Sequence, residues 1–202
     1  MKIIVMRHGE CEADVRKFCA GRADVPLTGL GHDQAEQAAQ WIRKRYTLTK
    51  IYSSPLIRAW QTAQAVADAA VLPITELQDL LEFDNGLLKG VLISEVGHRF
   101  PVVPNLAAHE AVYEQETKLE FRLRAENVMS RVLHENQLND EVLIITHGGM
   151  INQLFRAFMQ LPVDYNVWIT SGDTGIHEWV VLKEGRGITY LNSLEHLGFK
   201  HF

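Results

Sequence analysis

The strongest constraint on the fold is a series of short apolar runs that alternate with segments of helical periodicity. Residues 2–6 and 141–145 are short and mostly apolar, which is typical of strands buried on both faces of a parallel sheet. Residues 50–53 predict a further strand, and residues 176–183 and 187–192 alternate like two strands around a turn. This alternation predicts an α/β fold, a three-layer sandwich built on a mainly parallel central sheet.

The helical segments are expected at 29–46, 55–70, 117–135 and 150–160. Thr28 is a suitable N-cap for the first of them. Residues 74–90 have a mixed pattern, and residues 91–115 have a loose one that includes two prolines and a glycine. We therefore expect a single domain over residues 1–202, with a small cap insertion at about 91–115.

Composition and charge exclude several classes of partner. The chain has 202 residues, a net charge of −5 and a pI near 6.0, which argues against a nucleic-acid binder or a membrane-surface binder. The apolar run that follows Lys2 ends at Arg7, which is too short for a signal peptide or a membrane span. Cys11 and Cys19 are expected to be reduced thiols, so a cytoplasmic protein is predicted.

Two predicted core strands end in the same dipeptide, His-Gly. His8 follows the strand at 2–6 and His147 follows the strand at 141–145. Ligands of parallel α/β folds bind beyond the carboxyl ends of the strands. We therefore expect both histidines in one crevice if the two strands are neighbours.

The cations beside these histidines favour an anion as the ligand. Arg7 precedes His8, and Arg58 falls in the first turn of a predicted helix, where backbone N–H groups also favour anions. Guanidinium groups bind phosphate oxygens in pairs. A metal is the alternative, with the acidic residues within 10–14 as ligands, but Arg7 is a poor neighbour for a divalent cation. The sequence therefore predicts a phosphate pocket without a metal or cofactor.

Ordered motifs identify the chain as similar to a known family. The quoted segments are RHGECEADVRKFCAGRADVPLTGLGHDQA (7–35), SSPLIRAWQTA (53–63), EFDNGLLKG (82–90), VLIITHGGMI (142–151) and YLNSLEHL (190–197). In this order they resemble the signatures of the histidine phosphatase superfamily, the phosphoglycerate-mutase-like group, and within it the phosphatase branch. The resemblance covers nearly the whole chain and is weakest at about 91–115.

The resemblance implies a phosphomonoesterase, a hydrolase that acts on a small phosphate monoester through a phosphohistidine. His8 would attack phosphorus, and Glu82 would protonate the leaving alcohol and then activate water. Further residues would hold the phosphoryl oxygens or line the substrate site. They are Arg7, Arg58, His147, Asp14, Gly21 and Gly148. The implied partners are a small phosphorylated metabolite and inorganic phosphate as product, and a homodimer is left open.

Two alternatives stay open beside the phosphatase. A phosphoglycerate-type mutase is disfavoured because Glu82 is followed by Phe83-Asp84-Asn85 rather than by the mutases' Arg-x-Tyr. A catalytically weakened phosphate-binding or regulatory protein is suggested by Leu88-Lys89, where the family usually has Trp-Glu, and by Asp14, where it usually has Asn.

Asp14 is the most informative of these departures, because an ionised carboxylate accepts hydrogen bonds but donates none to phosphate. Either it is protonated when phosphate binds, or it turns away towards Arg16 or Arg22, or the site binds phosphate more weakly. The helix residues Glu116, Phe121 and Arg124 resemble a family motif and are interpreted as scaffold. The sequence does not identify the ester, although residues 91–115 are expected to line the mouth of the site.

Overall fold

The fold is known from a computed structural model, which describes residues 1–199. Its strands form a single sheet of six in the order β3-β2-β4-β1-β5-β6. The strands are β1 (Lys2–Arg7), β2 (Lys50–Ser53), β3 (Ile74–Glu76), β4 (Glu141–Thr146), β5 (Ile176–Leu182) and β6 (Gly185–Ser193). The first four pair in parallel, while β5 runs antiparallel to β1 and β6 antiparallel to β5. The expected mainly parallel α/β sheet is confirmed.

Helices cover both faces of the sheet. They are α1 (Glu12–Arg16), α2 (Gly29–Arg45), α3 (Ile57–Ala70), α4 (Ile93–Arg99), α5 (Lys118–Glu135) and α6 (Gly148–Phe158). Successive side chains of a strand point to opposite faces, so Ile3 and Val5 pack with α5 and α6, while Ile4 and Met6 pack with α2 and α3. This two-sided burial explains why residues 3–6 of β1 are all apolar.

Several boundaries differ from those expected. The third strand, β3, lies inside the segment with a mixed pattern, and its three residues are too few to show an alternation. Helix α1 is capped by Cys11, which is not a usual N-cap residue and gave no signal in the sequence. Helix α6 begins at Gly148 rather than at residue 150, so both glycines after His147 belong to its first turn. The helix expected from Pro55 begins at Ile57.

The segment 91–115 carries α4 and an irregular stretch that contacts neighbouring loops. Phe18 forms an isolated bridge with Leu92, and the Leu87 amide donates to the Tyr113 carbonyl. Its role as a cap stays a prediction. Throughout residues 1–199, no helix is both long enough and apolar enough to cross a membrane.

Candidate active site

The sheet places the two strand-end histidines side by side. Strands β1 and β4 are neighbours, with Arg7 in register with Thr146, so the residues that follow them emerge together. The ring centroids of His8 and His147 are 5.1 Å apart. Both side chains are buried, at 4% and 1% exposure.

The hydrogen bonds of His8 define its tautomer. Its Nδ1 lies 2.7 Å from the carbonyl oxygen of Gly9, which only accepts, so this nitrogen carries the proton. Its Nε2 accepts from Nε of Arg58 at 3.2 Å and so keeps a lone pair. Burial, followed by the charges of Arg58 and Arg7, lowers the pKa of His8 to about 3. The imidazole is therefore neutral at physiological pH, with a lone pair on Nε2.

Arg7 is held by two hydrogen bonds and by an ion pair with a second carboxylate. Its Nη1 donates to the carbonyl of Ser171 at 3.1 Å and lies 3.2 Å from Oδ1 of Asp173. Its Nη2 donates to Oδ1 of Asp14 at 2.8 Å. The guanidinium is thus fixed in place, with two carboxylates offsetting its charge.

Asp14 turns towards Arg7 and Cys11, and not towards Arg16 or Arg22. Its Oδ2 accepts from the backbone amide and from the thiol of Cys11, both at 2.9 Å. Burial alone would raise its pKa, but these bonds and the charge of Arg7 outweigh burial and hold the pKa of Asp14 below its ordinary value. The carboxyl group is therefore ionised in the absence of phosphate, and its protonation when phosphate binds stays a prediction.

Arg58 is buried and anchors the loop that faces His8. Its Nη2 and Nη1 donate to the carbonyls of Gly21 and Ala23, each at 2.8 Å, and its Nε points at His8. These bonds leave N–H groups of the guanidinium available, since arginine carries five. Its position between the loop and the imidazole follows from its place in the first turn of α3.

His147 has one satisfied and one unsatisfied ring nitrogen. Its Nε2 lies 2.8 Å from Oγ of Ser54, while its buried Nδ1 has no hydrogen-bond partner among residues 1–199. Burial, followed by the charge of Arg58, places the pKa of His147 well below its usual range. A neutral ring that accepts from Ser54 has its proton on Nδ1, ready to donate.

Glu82 reaches the same cavity from the loop after β3. Its Oε2 accepts from the amide of Gly149 at 2.9 Å, in the first turn of α6, and its Oε1 accepts from the amide of Phe83 at 2.7 Å. A side chain at position 149 would collide with this carboxylate, because an added Cβ would lie 2.3 Å from Oε1. The glycine therefore permits the close approach of Glu82 to the helix N-terminus.

Arg124 fixes the loop that carries Glu82. Its Nη1 donates to the carbonyls of Asp79 and Leu81 at 2.9 and 2.7 Å, and its Nη2 donates to that of Glu82 at 3.2 Å. Glu116 in turn accepts from Nη2 and Nε of Arg124 at 2.7 and 3.1 Å. The helix motif predicted as scaffold thus supports the backbone of the loop beside the histidines.

These groups surround one cavity of about 370 Å³. Among the substrate-site residues implied by the resemblance, Asp14, Gly21 and Gly148 line it together with His8, Arg7, Arg58 and Glu82. His147 is buried and does not line it. Among residues 1–199, none of the lining residues belongs to 91–115, and the role of that segment at the mouth stays a prediction.

One cluster of possible metal ligands must be weighed against the expectation that the site holds no metal. Ligand atoms of His8, Cys11 and Asp14 lie within 4.8 Å of one another. Two features disfavour a cation here. Arg7 lies nearby and is already bonded to Asp14, and the thiol of Cys11 is protonated. Burial, and then the hydrogen bond to Asp14, raise the pKa of Cys11 to about 11. A metal here would have to displace a proton and compete with a guanidinium.

The sequence interpretation missed the residues that orient the histidines and arginines. Ser54, Ser171, Asp173 and Cys11 all hold groups of the site. Ser54 belongs to the SSPLIRAWQTA segment and could have been identified from its place at a strand end. The other three had no signal, because their partners are brought to them only by the fold.

Comparison with known proteins identifies relatives of this architecture. Residues 3–193 match the family model described as histidine phosphatase superfamily (branch 1). An uncharacterised phosphatase, PhoE of Bacillus subtilis, is 30% identical over 75% of this chain and 74% of its own length. A glucosyl-3-phosphoglycerate phosphatase of Mycolicibacterium vanbaalenii is 30% identical over 90% of this chain and 83% of its own. Among solved structures, a mycobacterial glucosyl-3-phosphoglycerate phosphatase complexed with VO3 superposes with a TM-score of 0.85 at 21% identity, covering 95% of this chain and 99% of the other.

Proposed function

The chain belongs to the histidine phosphatase superfamily, and we propose that it is a metal-independent phosphomonoesterase that forms a phosphohistidine at His8. The state of His8 is the observation that carries this proposal. A buried neutral imidazole with its proton bound by Gly9 and a lone pair on Nε2, next to two arginines, is the arrangement that an attack on phosphorus requires.

The cations and His147 would bind the phosphoryl group. Arg7 and the free N–H groups of Arg58 supply charge at the cavity wall. His147 is buried beside His8 and does not line the cavity, but its Nδ1 has no partner among the described residues and would become a donor to a bound phosphoryl group. Because charge spreads over the equatorial oxygens in the transition state, donors fixed in advance lower the barrier more than groups that must reorganise.

Glu82 would act as the proton donor in the first step and as the proton acceptor in the second. In the first step, which Glu82 would enter in its protonated form, Nε2 of His8 forms a bond to phosphorus, the P–O bond to the alcohol breaks, and Glu82 gives its proton to the leaving oxygen. In the second step a water attacks phosphorus, loses its proton to Glu82, and the N–P bond breaks. Inorganic phosphate leaves, and His8 and Glu82 return to their starting states.

The names of the relatives support a small phosphorylated metabolite as substrate. The relatives in Bacillus and Mycolicibacterium are named as phosphatases, and the VO3 complex shows that a neighbouring fold binds a phosphate-like oxyanion. A cytoplasmic location and a homodimer stay predictions.

Rapid-quench labelling tests the proposal. The protein, treated with EDTA, is mixed with a phosphoryl-labelled aryl phosphate, and acid-labile phosphoprotein is counted within the first turnover. We expect label and hydrolysis in the wild type, and neither in His8→Ala. The matched control is His109→Ala, which changes an exposed histidine outside the cavity. This variant should form the label and hydrolyse the ester.

Three outcomes would contradict the proposal. Label in His8→Ala would show that another residue is the nucleophile. Activity lost with EDTA and restored by a divalent ion would show a metal mechanism, for which His8, Cys11 and Asp14 are the donors to test. Tight phosphate binding without label or turnover would show a phosphate-binding or regulatory protein.

A further inference from the structure

We propose that the site selects monoesters of uncharged alcohols with an apolar portion, and that it has no subsite for a second anionic group of the substrate. This inference rests on the proposed function and names its substrate class. Three features of the cavity carry it: the walls beyond the phosphoryl site, the shortage of free cations, and the carboxylates that face the same space.

The cavity has room for more than a phosphoryl group. Its volume of about 370 Å³ falls in the range of small-molecule sites. Beyond His8 and the two arginines its lining includes Phe18 and Phe83, together with Ala13, Ala20 and Asn85, next to Asp14 and Glu82. The leaving alcohol would therefore meet two aromatic rings, two methyl groups and one neutral amide beside the two carboxyl groups. Such walls favour burial of apolar surface.

Free cations are scarce in this space. Among residues 1–199, Arg7 and Arg58 are the only lysine or arginine side chains that line the cavity, and both are assigned to the phosphoryl group. In a site for a second carboxylate or phosphate, a further guanidinium or ammonium would be expected to face the alcohol portion.

Arg22 lies close to the cavity, but its donors are already bonded to other groups. Its Nε donates to the carbonyl of Glu82 at 3.2 Å. Its Nη1 pairs with Asp84 at 3.2 Å, and its Nη2 pairs with Glu116 at 3.1 Å. To bind a substrate anion, this side chain would have to leave two carboxylates and release the backbone of the Glu82 loop.

Carboxylates further disfavour a second anion. Asp14 and Glu82 both line the cavity, and Asp14 is ionised. A carboxylate on the alcohol portion would lose part of its hydration on entry, would find no cation, and would be repelled by Asp14.

Arg16 is an exposed cation that lies next to the cavity wall. It is exposed, does not line the cavity, and its guanidinium lies 5.8 Å from the ring centroid of Phe18. A rotation of this side chain around the phenyl ring would bring a charge to the mouth. The test must therefore include Arg16.

Matched pairs of esters test the proposal. Glycerol 3-phosphate and 3-phosphoglycerate differ chiefly in a hydroxymethyl group against a carboxylate. We expect kcat/KM to be at least roughly tenfold higher for glycerol 3-phosphate, a difference of about 1.4 kcal/mol. A second pair, 2-phenylethyl phosphate and ethyl phosphate, tests the aromatic walls, and the phenyl compound should again be at least roughly tenfold better.

Charge-introducing variants sharpen the first comparison. Phe18→Arg places a cation in the wall, and Ala20→Arg does so from a neighbouring position in case the first variant fails to fold. In at least one of them the ratio of the two kcat/KM values should shift towards 3-phosphoglycerate by roughly tenfold. Arg16→Ala should leave that ratio as it is in the wild type.

The outcomes separate this inference from the function on which it rests. Hydrolysis of 3-phosphoglycerate as fast as glycerol 3-phosphate, or a selective loss of its turnover in Arg16→Ala, overturns the inference and leaves the phosphatase intact. Equal turnover of the phenylethyl and ethyl esters would likewise overturn the inference and leave the phosphatase intact. If none of the four esters is hydrolysed and no phosphoenzyme forms, the proposed function falls, and the inference falls with it.

Discussion

Asp14 accepts a hydrogen bond from Arg7, with 2.8 Å between its Oδ1 and Nη2 of the guanidinium. The carboxylate thus competes with phosphate for a cation of the site and also repels the phosphate itself. We expect Asp14→Asn to lower the inhibition constant of inorganic phosphate by about threefold to tenfold, equivalent to about 0.7–1.4 kcal/mol. The gain is moderate because the ion pair is partly exposed and so partly screened.

Phosphate inhibition constants from pH 5 to 8 measure this effect. Because the pKa of Asp14 lies below its ordinary value, the carboxylate is ionised over this whole range, and the difference between the two proteins should persist across it. Asp68→Asn removes the same charge from an exposed helix position and is the control. Identical curves for wild type and Asp14→Asn would contradict a competition for Arg7.

The sequence predicts the chemistry of this site better than its geometry. His8, His147 and Arg58 were predicted because each follows or faces a strand end, and parallel strands deliver their ends to one edge. The direction of Asp14 was not predictable, because it depends on the short helix α1 and its cap at Cys11. Nothing in the local periodicity indicates a helix of five residues.

The contacts of the loops were likewise less predictable than the identity of their residues. The position of Glu82 in sequence was known, but its contact with Gly149 joins a loop residue to the first turn of α6, which is far away in sequence. Residues 91–115 were expected at the mouth because their composition is irregular, and this stays a prediction. Composition indicates a loop but not the direction in which it packs, so the presence of Phe18 and Phe83 in the cavity wall was not predicted.

We expect Ser54 to donate to Nε2 of His147 and so to keep the ring proton on Nδ1, and its removal should therefore lower activity. In Ser54→Ala the buried Nε2 loses its donor, so the proton no longer favours Nδ1. We expect kcat/KM for p-nitrophenyl phosphate to fall by about tenfold, since leaving a buried polar group unsatisfied costs about 1–3 kcal/mol.

The neighbouring Ser53→Ala is the matched control for Ser54→Ala, because its hydroxyl is also buried but donates to the carbonyl of Ser54 rather than to a histidine. Nitrogen-15 shifts of the His147 ring report the tautomer directly. Equal activities and unchanged ring shifts in the two variants would contradict this role.

His177 should make the protein less stable in mild acid. Burial lowers its pKa to about 4, while an unfolded histidine titrates near 6.5. The unfolded chain therefore binds the proton first, so the contribution of His177 is complete above about pH 6.5 and is lost as the pH falls towards 4. Between pH 7 and pH 5 we expect this residue to remove roughly 1–2 kcal/mol from the free energy of unfolding.

Urea unfolding of wild type and His177→Gln at both pH values checks this. The other buried histidines are common to the two proteins, so their contributions cancel in the comparison. The variant should lose less stability than the wild type between pH 7 and pH 5, with an unchanged m value. The same loss in both proteins would show that His177 is not responsible.

Gly149→Ala should displace Glu82, the proposed proton donor, from the N-terminus of α6. The added Cβ would lie 2.3 Å from Oε1 of Glu82, so the carboxyl group must move, whereas a Cβ at Gly148 meets nothing within 4 Å. A displaced general acid slows esters with poor leaving groups most, because these need the proton in the transition state. Since a general acid contributes about 10²–10⁴-fold, we expect the displacement to slow alkyl phosphates by about tenfold to a hundredfold relative to aryl phosphates.

Single-turnover phosphorylation of an alkyl and an aryl ester measures the ratio that matters, because Glu82 also serves the second step. Gly148→Ala adds the same methyl group to the same turn of α6 and is the control. Any effect it has on phosphate binding acts on both esters alike, so the alkyl-to-aryl ratio should stay at the wild-type value. Alanine also favours a helix over glycine by about 0.5–1 kcal/mol, so a loss of activity in Gly149→Ala would not stem from a weaker helix. An unchanged ratio in Gly149→Ala would mean that Glu82 does not deliver the proton from the position seen here.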